Sequence, residues 1–164
     1  MASPAVKTPD GLVFVKAKKE DIPAIRQMVD SAYSKYIERI GKPPAPMNAD
    51  WNRLISSQDV WVLRTTDSGD EVVGAVVLGV DADSDSIKIN NLVVSPAAQG
   101  RGYGKILMRH AEDTAREKGR PALTLFTNVM MYENLALYPK LGFYETERRS
   151  EEGYDRVYYR KDLA

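Results

Sequence analysis

Hydrophobic residues follow two different periods along this chain, one typical of strands and one typical of helices. Seven short runs rich in β-branched and aromatic residues predict strands, because Gly, Pro, Asp and Ser clusters bound them. These runs are residues 12–15, 60–63, 72–80, 87–94, 123–126, 143–148 and 154–159. Short connections join the second, third and fourth runs, so the pattern predicts an antiparallel meander there. The last two runs predict a closing hairpin.

Apolar positions three or four residues apart predict helices between the strands. From Ile22 to Ile40 this spacing predicts one helix that ends at Gly41. Prolines make residues 42–47 a stiff loop, and Asn48 is a candidate N-cap for a short helix after it. Two further helices are predicted from Gly102 to about residue 118 and over residues 130–141. The order β-α-α-β-β-β-α-β-α-β-β predicts an α/β sandwich with a mixed, mostly antiparallel sheet of about seven strands flanked by helices.

Length and charge narrow the class of protein. The 164 residues suit one domain, 1–164, with residues 1–10 expected to be a flexible N-terminus. Lys and Arg number 23 and Asp and Glu number 23, which argues against nucleic acid or an anionic membrane as the partner. The longest apolar run, 72–80, is about half of what a ~20-residue membrane span needs, and the first residues do not form a secretory signal. We therefore expect a cytoplasmic protein.

The absence of cysteine and the presence of a single histidine exclude several kinds of chemistry. The chain has no cysteine, which removes thiolate nucleophiles, disulfides and Cys-ligated metals. His110 is the only histidine, so a site with two His ligands is impossible, and we expect no metal. His110 lies on or beside the apolar stripe of its predicted helix, which favours a structural role.

The most informative stretch is residues 91–105, which predict a strand, a tight loop and the start of a helix. Alternating glycines over residues 100–104 allow the backbone to approach a ligand closely. The first turn of the helix leaves N–H groups unpaired at the positive end of its dipole, and Arg101 and Lys105 add positive charge. The loop therefore predicts a diphosphate site. Lys105 excludes the dinucleotide fingerprint and Gln99 excludes a P-loop.

Two motifs resemble those of the GNAT superfamily of N-acetyltransferases. The pattern Gln99-x-x-Gly102-x-Gly104, preceded by Leu92-x-Val94 and Pro96, resembles its acetyl-coenzyme A motif. Residues 134–143 look like its second motif, and the predicted element order matches its fold along nearly the whole chain. The resemblance implies acetyl-CoA as cosubstrate and an amine as acetyl acceptor.

The resemblance also implies roles for individual residues. The backbone of Leu92, Val93 and Val94 would bind the pantetheine arm and the acetyl carbonyl. The family's pyrophosphate cradle corresponds to Gln99, Gly100, Arg101, Gly102, Tyr103, Gly104 and Lys105. Tyr138 falls on the tyrosine that protonates the leaving thiolate in many members. The chemistry is reasonable, because a phenol with a pKa of about 10 can supply a proton as charge develops on a thiol with a pKa of about 8.5.

The chain departs from the family pattern at a coenzyme-binding asparagine. Many members carry it seven residues before the tyrosine, where this chain has Met131. Asn134 lies one helical turn before Tyr138 and can fill the role, Asn128 can do so from the strand end, or the contact is absent.

The acceptor side of the site is less defined. Many members place a glutamate on the fourth strand as a base, whereas residues 87–94 contain no acid. Asn90 and Asn91 can only orient water, so Asp85, the nearest carboxylate in sequence, is the candidate base. The resemblance makes Tyr33, Tyr36 and Arg39 candidates for acceptor binding, because they precede the proline loop; the alternative is that they are core and surface of the first helix.

The sequence therefore predicts transfer of an acetyl group from acetyl-CoA to a primary amine of a small molecule, by direct attack in a ternary complex. Without cysteine, a thioester intermediate on the protein is not expected. Two alternatives remain open: a protein or peptide N-acetyltransferase, and a catalytically inactive acyl-CoA-binding module, which the missing strand carboxylate would suit. The oligomeric state is also open, a homodimer included.

Overall fold

The computed structural model describes residues 6–7, 11–66 and 69–163. One mixed sheet has the strand order β1-β2-β3-β4-β5-β6-β8-β7, and β5 and β6 are its parallel pair. The strands are β1 Val6–Lys7, β2 Leu12–Lys16, β3 Asp59–Thr65, β4 Val72–Val80, β5 Ser86–Val94, β6 Ala122–Asn128, β7 Tyr144–Glu151 and β8 Tyr154–Asp162. The helices are α1 Ile22–Tyr33, α2 Tyr36–Ile40, α3 Trp51–Ser57, α4 Tyr103–Glu117 and α5 Tyr132–Lys140.

The predicted fold class is confirmed, and all seven predicted strands form. The two-residue edge strand β1 is an addition. The flexible segment expected at residues 1–10 falls mostly outside the described residues, and residues 6–7 within it pair with β2. No helix within the described residues is long and apolar enough to span a membrane.

Both faces of the central strands are buried, each in its own hydrophobic core. Along β3, Trp61 and Leu63 pack in the core under α4, whereas Val60 and Val62 pack in the core under α1. Successive side chains of a strand point to opposite faces, so α1 and α4 cover opposite sides of the sheet. This double burial explains why β3 and β4 are almost continuously apolar.

The predicted single helix from Ile22 to Ile40 is wrong in one respect, because it breaks between Tyr33 and Tyr36 into α1 and α2. Arg39 of α2 donates to Glu133 Oε1 (2.7 Å) and to the Met130 carbonyl (3.0 Å), which holds α2 against the start of α5. Ser34 and Lys35 between the two helices keep right-handed helical dihedrals, and the Ile37 N–H donates to the Ser34 carbonyl three residues earlier, at 3.1 Å, so the break is one tightened turn.

The N-cap of α3 also differs from the prediction. Asp50, not Asn48, accepts the hydrogen bond from the Arg53 backbone N–H, at 3.2 Å. Asn48 instead ends a short 3₁₀ turn, Ala45–Asn48, inside the proline loop. The prolines therefore shape this loop into a turn before the helix begins.

The parallel strands β5 and β6 separate halfway along their length. They pair from Ser86–Ala122 to Ile89–Leu125, and then each strand continues without its partner. On its other edge, β5 pairs with β4 through a bulge, because Asn90 is an extra residue between Ile89 and Asn91. A bulge bends the strand that carries it. A wedge-shaped cleft therefore opens between the carboxyl ends of β5 and β6.

Gly79 of β4 leaves room for this bulge. A Cβ atom at Gly79 would lie 2.6 Å from the side-chain nitrogen of Asn90. That nitrogen donates to Gln58 Oε1 at 2.6 Å, so the Asn90 side chain is held in place and cannot easily move aside. The absence of a side chain at position 79 is thus part of what opens the cleft.

Candidate active site

Two cavities meet in the cleft. The glycine-loop cavity, about 600 Å³, lies among the end of β5, residues 98–105 and α5. The proline-loop cavity, about 480 Å³, lies among Pro44–Ala49, the carboxyl ends of β5 and β6, and the start of β8. Both cavities are lined by Tyr33, Leu92, Asn134 and Tyr138. These four residues lie between the two cavities, and we call them the junction.

The free edge of β5 supplies backbone hydrogen-bonding groups to the junction. The Ser95 N–H donates to the Val73 carbonyl of β4 at 2.9 Å, and alternate residues of a strand face opposite edges. Leu92 and Val94 therefore direct their N–H and C=O groups away from β4. Two contacts agree, because the Tyr33 hydroxyl lies 3.5 Å from the Leu92 oxygen and Gln99 Nε2 lies 3.4 Å from the Val94 oxygen. By the same alternation, the backbone of Val93 faces β4.

The glycine loop has the conformation and the open space that a diphosphate needs. Gly100 and Gly102 have φ values of 85° and 82°, and a Cβ atom at either would meet nothing within 4 Å. Gly102 is the N-cap of α4 and provides no side-chain cap, so the first N–H groups of this helix are available to a ligand. These residues fit the pyrophosphate of a coenzyme. Tyr103, Gly104 and Lys105 also line the cavity, whereas Arg101 is exposed beside it.

Basic residues from distant elements also line the glycine-loop cavity. Lys35 follows α1, and Lys161 reaches the cavity from β8, where its Nζ lies 3.5 Å from Glu112 Oε1 of α4. Together with Lys105 they give this cavity three lysines and one glutamate, which favours an anionic ligand. Sequence reasoning missed Lys35 and Lys161, because no local motif connects them to the loop.

Two tyrosines at the junction remain protonated at neutral pH. Burial raises the pKa of Tyr138 to about 12, and the nearby phenols of Tyr159 and Tyr36 contribute less. The Tyr138 ring packs against Phe143 and Tyr159, with 5.7 Å between centroids in each case. Burial likewise raises the pKa of Tyr33. Both hydroxyls can therefore donate a proton or a hydrogen bond, and neither is an anionic base in the resting protein.

The two candidates for the missing family asparagine occupy different places. Asn134 lines both cavities, and its Nδ2 donates to Thr127 Oγ1 at 3.1 Å. Asn128 lines only the proline-loop cavity, and its Oδ1 accepts from the Met130 N–H at 2.9 Å to form the turn after β6. Of the two, Asn134 is the one that reaches the glycine-loop cavity. Met131, at the family's usual position, is buried.

The three candidates for acceptor binding do not stay together. Tyr33 lines both cavities, and Tyr36 lines only the glycine-loop cavity. Arg39 lines neither, because its guanidinium group binds Glu133 and the Met130 carbonyl. That ion pair lowers the pKa of Glu133. The prediction is thus corrected for Arg39, which joins two helices, and only Tyr33 reaches the cavity beside the proline loop.

The structure does not bring Asp85 to the cleft, which corrects its candidacy as a base. Asp85 precedes β5, seven residues from Leu92, and a strand advances about 3.3 Å per residue. Arg160 donates to both of its oxygens, at 2.9 and 2.8 Å, and this pair lowers the pKa of the Asp85 carboxyl. A carboxylate that is paired and remote cannot accept a proton at the junction.

Contacts between segments far apart in sequence border one side of the proline-loop cavity. The Tyr154 hydroxyl donates to the Pro43 carbonyl and Lys42 Nζ donates to the Gly153 carbonyl, both at 2.6 Å. These bonds join the proline loop to the turn between β7 and β8. The cavity is lined by apolar Pro44, Ala45, Pro46, Ala49 and Leu54 and by polar Asn90, Asn91, Asn128, Glu152 and Arg156. Sequence reasoning missed Glu152, Tyr154 and Arg156.

Comparison with known proteins identifies relatives with this architecture. An IAA acetyltransferase of Azospirillum brasilense is 34% identical over 100 residues, which are 58% of this chain and 65% of the relative. The chain thus spans just under two thirds of that relative. The crystal structure of the ribosomal-protein-S18-alanine N-acetyltransferase from Escherichia coli has a TM-score of 0.69 at 20% identity, covering 93% of this chain and 94% of that one.

A GNAT family acetyltransferase from Elizabethkingia anophelis, solved with acetyl-CoA bound, has a TM-score of 0.64 at 20% identity and covers 94% of this chain and 99% of that one. Because both solved structures are only 20% identical to this chain, they show that the fold is shared. The family profile described as "Acetyltransferase (GNAT) family" matches residues 23–143, which include the glycine loop and α5. The chain belongs to the GNAT acetyltransferase family.

Proposed function

We propose that this chain transfers an acetyl group from acetyl-CoA to the primary amine of a small molecule, by direct attack within a ternary complex and in a single domain. The observation that carries the proposal is the meeting of two cavities at Tyr33, Leu92, Asn134 and Tyr138. Direct transfer requires the two substrates to be bound together with their reacting atoms adjacent. A donor in one cavity and an acceptor in the other would satisfy this requirement.

The glycine-loop cavity suits the donor. The first N–H groups of α4 and the side chain of Lys105 would hold the pyrophosphate, and the free edge of β5 would hold the pantetheine arm. When bound, acetyl-CoA supplies an acetyl group activated as a thioester. The N–H groups of Leu92 and Val94 face the same space and would polarise the acetyl carbonyl. The related structure solved with acetyl-CoA bound supports this donor.

Tyr138 would manage the proton on the leaving group. Because its pKa is raised to about 12, its hydroxyl is protonated and donates a hydrogen bond as negative charge develops on sulfur. The amine sheds one proton when the amide forms, and the thiol takes one up. Tyr138 can give its proton to sulfur and recover one proton from the attacking neutral amine. An acceptor that arrives as the ammonium ion must first lose a further proton to solvent, and water oriented by Asn90 and Asn91 would carry it away.

The volume of the proline-loop cavity, and the contacts that border one side of it, favour a small acceptor. Its volume, about 480 Å³, is within the range of about 300–1,000 Å³ usual for small-molecule sites. The bonds from Tyr154 to Pro43 and from Lys42 to Gly153 border it on the side of the β7–β8 turn. A protein acceptor would need to insert a chain end there. A protein acceptor is the alternative, because one structural relative is named for acetylation of a ribosomal protein.

The deciding experiment measures free thiol released from acetyl-CoA with a panel of amines. The panel contains small primary amines and peptides with free N-termini, and each product is identified by mass spectrometry. We expect turnover with a subset of the small amines and little with peptides. Turnover confined to peptides would instead support the alternative, a protein or peptide N-acetyltransferase. Tight binding of acetyl-CoA without turnover of any amine would indicate the inactive binding module.

A further inference from the structure

Arg156 is a buried cation in the wall of the proline-loop cavity. It lies on β8, is 8% exposed and lines the cavity together with Phe126 and Tyr154. The central carbon of its guanidinium group is 4.3 Å from the centroid of the Phe126 ring and 6.0 Å from that of Tyr154. Aromatic faces at these distances orient an arginine and keep its position fixed.

The charge of Arg156 is poorly balanced by the protein. Its nearest carboxylate is Glu152, with 3.6 Å between Nη2 and Oε2, which is longer than a hydrogen bond. The Glu152 side chain is 81% exposed, so water screens it, whereas Arg156 is shielded from water. A buried cation is costly unless an anion pairs with it closely. A ligand anion in the cavity would provide that pair.

Asn91 presents a second unsatisfied group to the same cavity. It is 9% exposed, and its side-chain oxygen is buried without a hydrogen-bond partner among the described residues. Buried polar atoms are nearly always hydrogen-bonded, so this oxygen would gain a donor if a rotation of the Asn91 side chain exposed it to a ligand in the cavity. Asn91 directly precedes Leu92 of the junction, whereas Arg156 lies beyond β6, where it pairs with Asn128 in the β6–β8 ladder. The two groups therefore stand on different walls.

We propose that the acceptor is an amine that also carries a negatively charged group, with its anion bound by Arg156 and its amine N–H donated to Asn91 Oδ1. The inference rests on the proposed function, because it concerns the cavity given to the acceptor. A carboxylate, sulfonate or phosphonate shares the required chemistry, since a guanidinium group binds each through two parallel N–H bonds. Apolar Pro44, Ala49 and Leu54 would contact the carbon skeleton between the two ends.

The first test compares acceptors in matched sets that share one carbon skeleton. Each set holds the amino carboxylate, its sulfonate and phosphonate analogues, and the uncharged carboxamide. We expect the wild-type kcat/KM for the preferred anionic form to exceed that for the carboxamide by about 10- to 100-fold, the usual effect of hydrogen bonds to a charged group. The preference should fall to about unity in Arg156→Met and persist in part in Arg156→Lys. Arg148→Met is the control, because Arg148 is exposed on β7 beside Glu145.

The second test measures binding by calorimetry, with and without coenzyme A, and does not depend on turnover. The amino carboxylate should bind wild type, lose most of its affinity in Arg156→Met and gain a few-fold in Glu152→Gln, which removes the competing carboxylate. Glu152 is exposed, so this variant tests the inference even if Arg156→Met does not fold.

The outcomes separate the two proposals. Binding of the amino carboxylate that depends on Arg156, without acetylation of any amine, would overturn the proposed function and leave the cavity as a binding site for an anionic amine. Equal kcat/KM for carboxylate and carboxamide, or weaker binding of the carboxylate to Glu152→Gln, would overturn this inference and leave acetyl transfer intact.

Discussion

The two cavities of the cleft are built in different ways. About half of the residues that line the glycine-loop cavity come from one continuous stretch, residues 92–105, which contains the glycine loop and the free edge of β5. The proline-loop cavity draws on α3, β5, β6, the proline loop and the β7–β8 turn, and largely on side chains. A site made of backbone groups depends on local conformation, whereas a site made of side chains depends on which segments the fold brings together. The first is therefore suited to an invariant ligand and the second to one that varies.

The charged residues that line the two cavities also differ. Three lysines and one glutamate line the glycine-loop cavity, an excess of positive charge that suits a polyanion. One buried arginine and one exposed glutamate line the proline-loop cavity, together with several amide side chains. Discrimination there depends on a few directed contacts. Single substitutions should consequently affect the two cavities separately, and loss of the Tyr138 hydroxyl at the junction should affect catalysis without either binding step.

The largest expected effect is at the junction, where Tyr138→Phe removes one hydroxyl and keeps the ring. The kcat should fall by about 10²–10⁴-fold, the usual contribution of a positioned general acid, with little change in the affinity for acetyl-CoA or the acceptor. Steady-state kinetics and coenzyme calorimetry measure this. Tyr132→Phe is the control, since Tyr132 is 56% exposed on the same helix and lines neither cavity. A kcat within about twofold of wild type would give Tyr138 a packing role only.

The second largest effect is expected from a substitution that disrupts only the glycine-loop cavity. In Gly102→Val the new side chain enters the space beside the first N–H groups of α4, so coenzyme affinity should fall by about 100-fold, equivalent to one or two lost hydrogen bonds to a charged group. Gly119→Val is a matched control, because Gly119 also has a positive φ, 67°, and open space around its Cβ, at the other end of α4. Both variants carry similar backbone strain. Equal coenzyme affinity in the two would contradict the role of the loop.

A smaller effect should be confined to the proline-loop cavity. Asn91→Leu removes the buried acceptor oxygen, so the acceptor KM should rise by about 10-fold while the dissociation constant of coenzyme A stays constant. An unchanged acceptor KM in Asn91→Leu, with the protein folded, would separate this asparagine from acceptor binding.

The smallest effect concerns a residue that lines neither cavity. His110 packs against both Phe14 and Trp61, at 4.8 and 4.7 Å between ring centroids, while those two rings stack on each other at 5.1 Å, and burial lowers the pKa of His110. The unfolded chain therefore binds this proton more readily, so its contribution to stability is full above pH of about 6.5 and declines as the pH falls. Urea unfolding at pH 8 and pH 5.5 should show a smaller pH dependence in His110→Gln than in wild type. An identical pH dependence would exclude His110 as its source.

The sequence alone determined the layers of the fold and the glycine-loop cavity. Short runs rich in β-branched residues predict β3, β4 and β5 correctly, and the 3.6-residue apolar spacing predicts α4, because both patterns are properties of neighbouring residues. The glycine loop is predictable for the same reason, since its positive φ values and the free N–H groups of α4 arise within about ten residues.

Only the tertiary structure decided which residues line the proline-loop cavity. Arg39, 94 residues from Glu133, helps to place α2, and Arg160, 75 residues from Asp85, removes that carboxylate from consideration. The bulge at Asn90 exists only in the pairing with β4, and Arg156 enters the cavity only because β8 lies beside β6. The physical reason is that ion pairs, strand register and cavity walls depend on contacts between distant segments. A periodic pattern along the chain carries no information about which distant residues will meet.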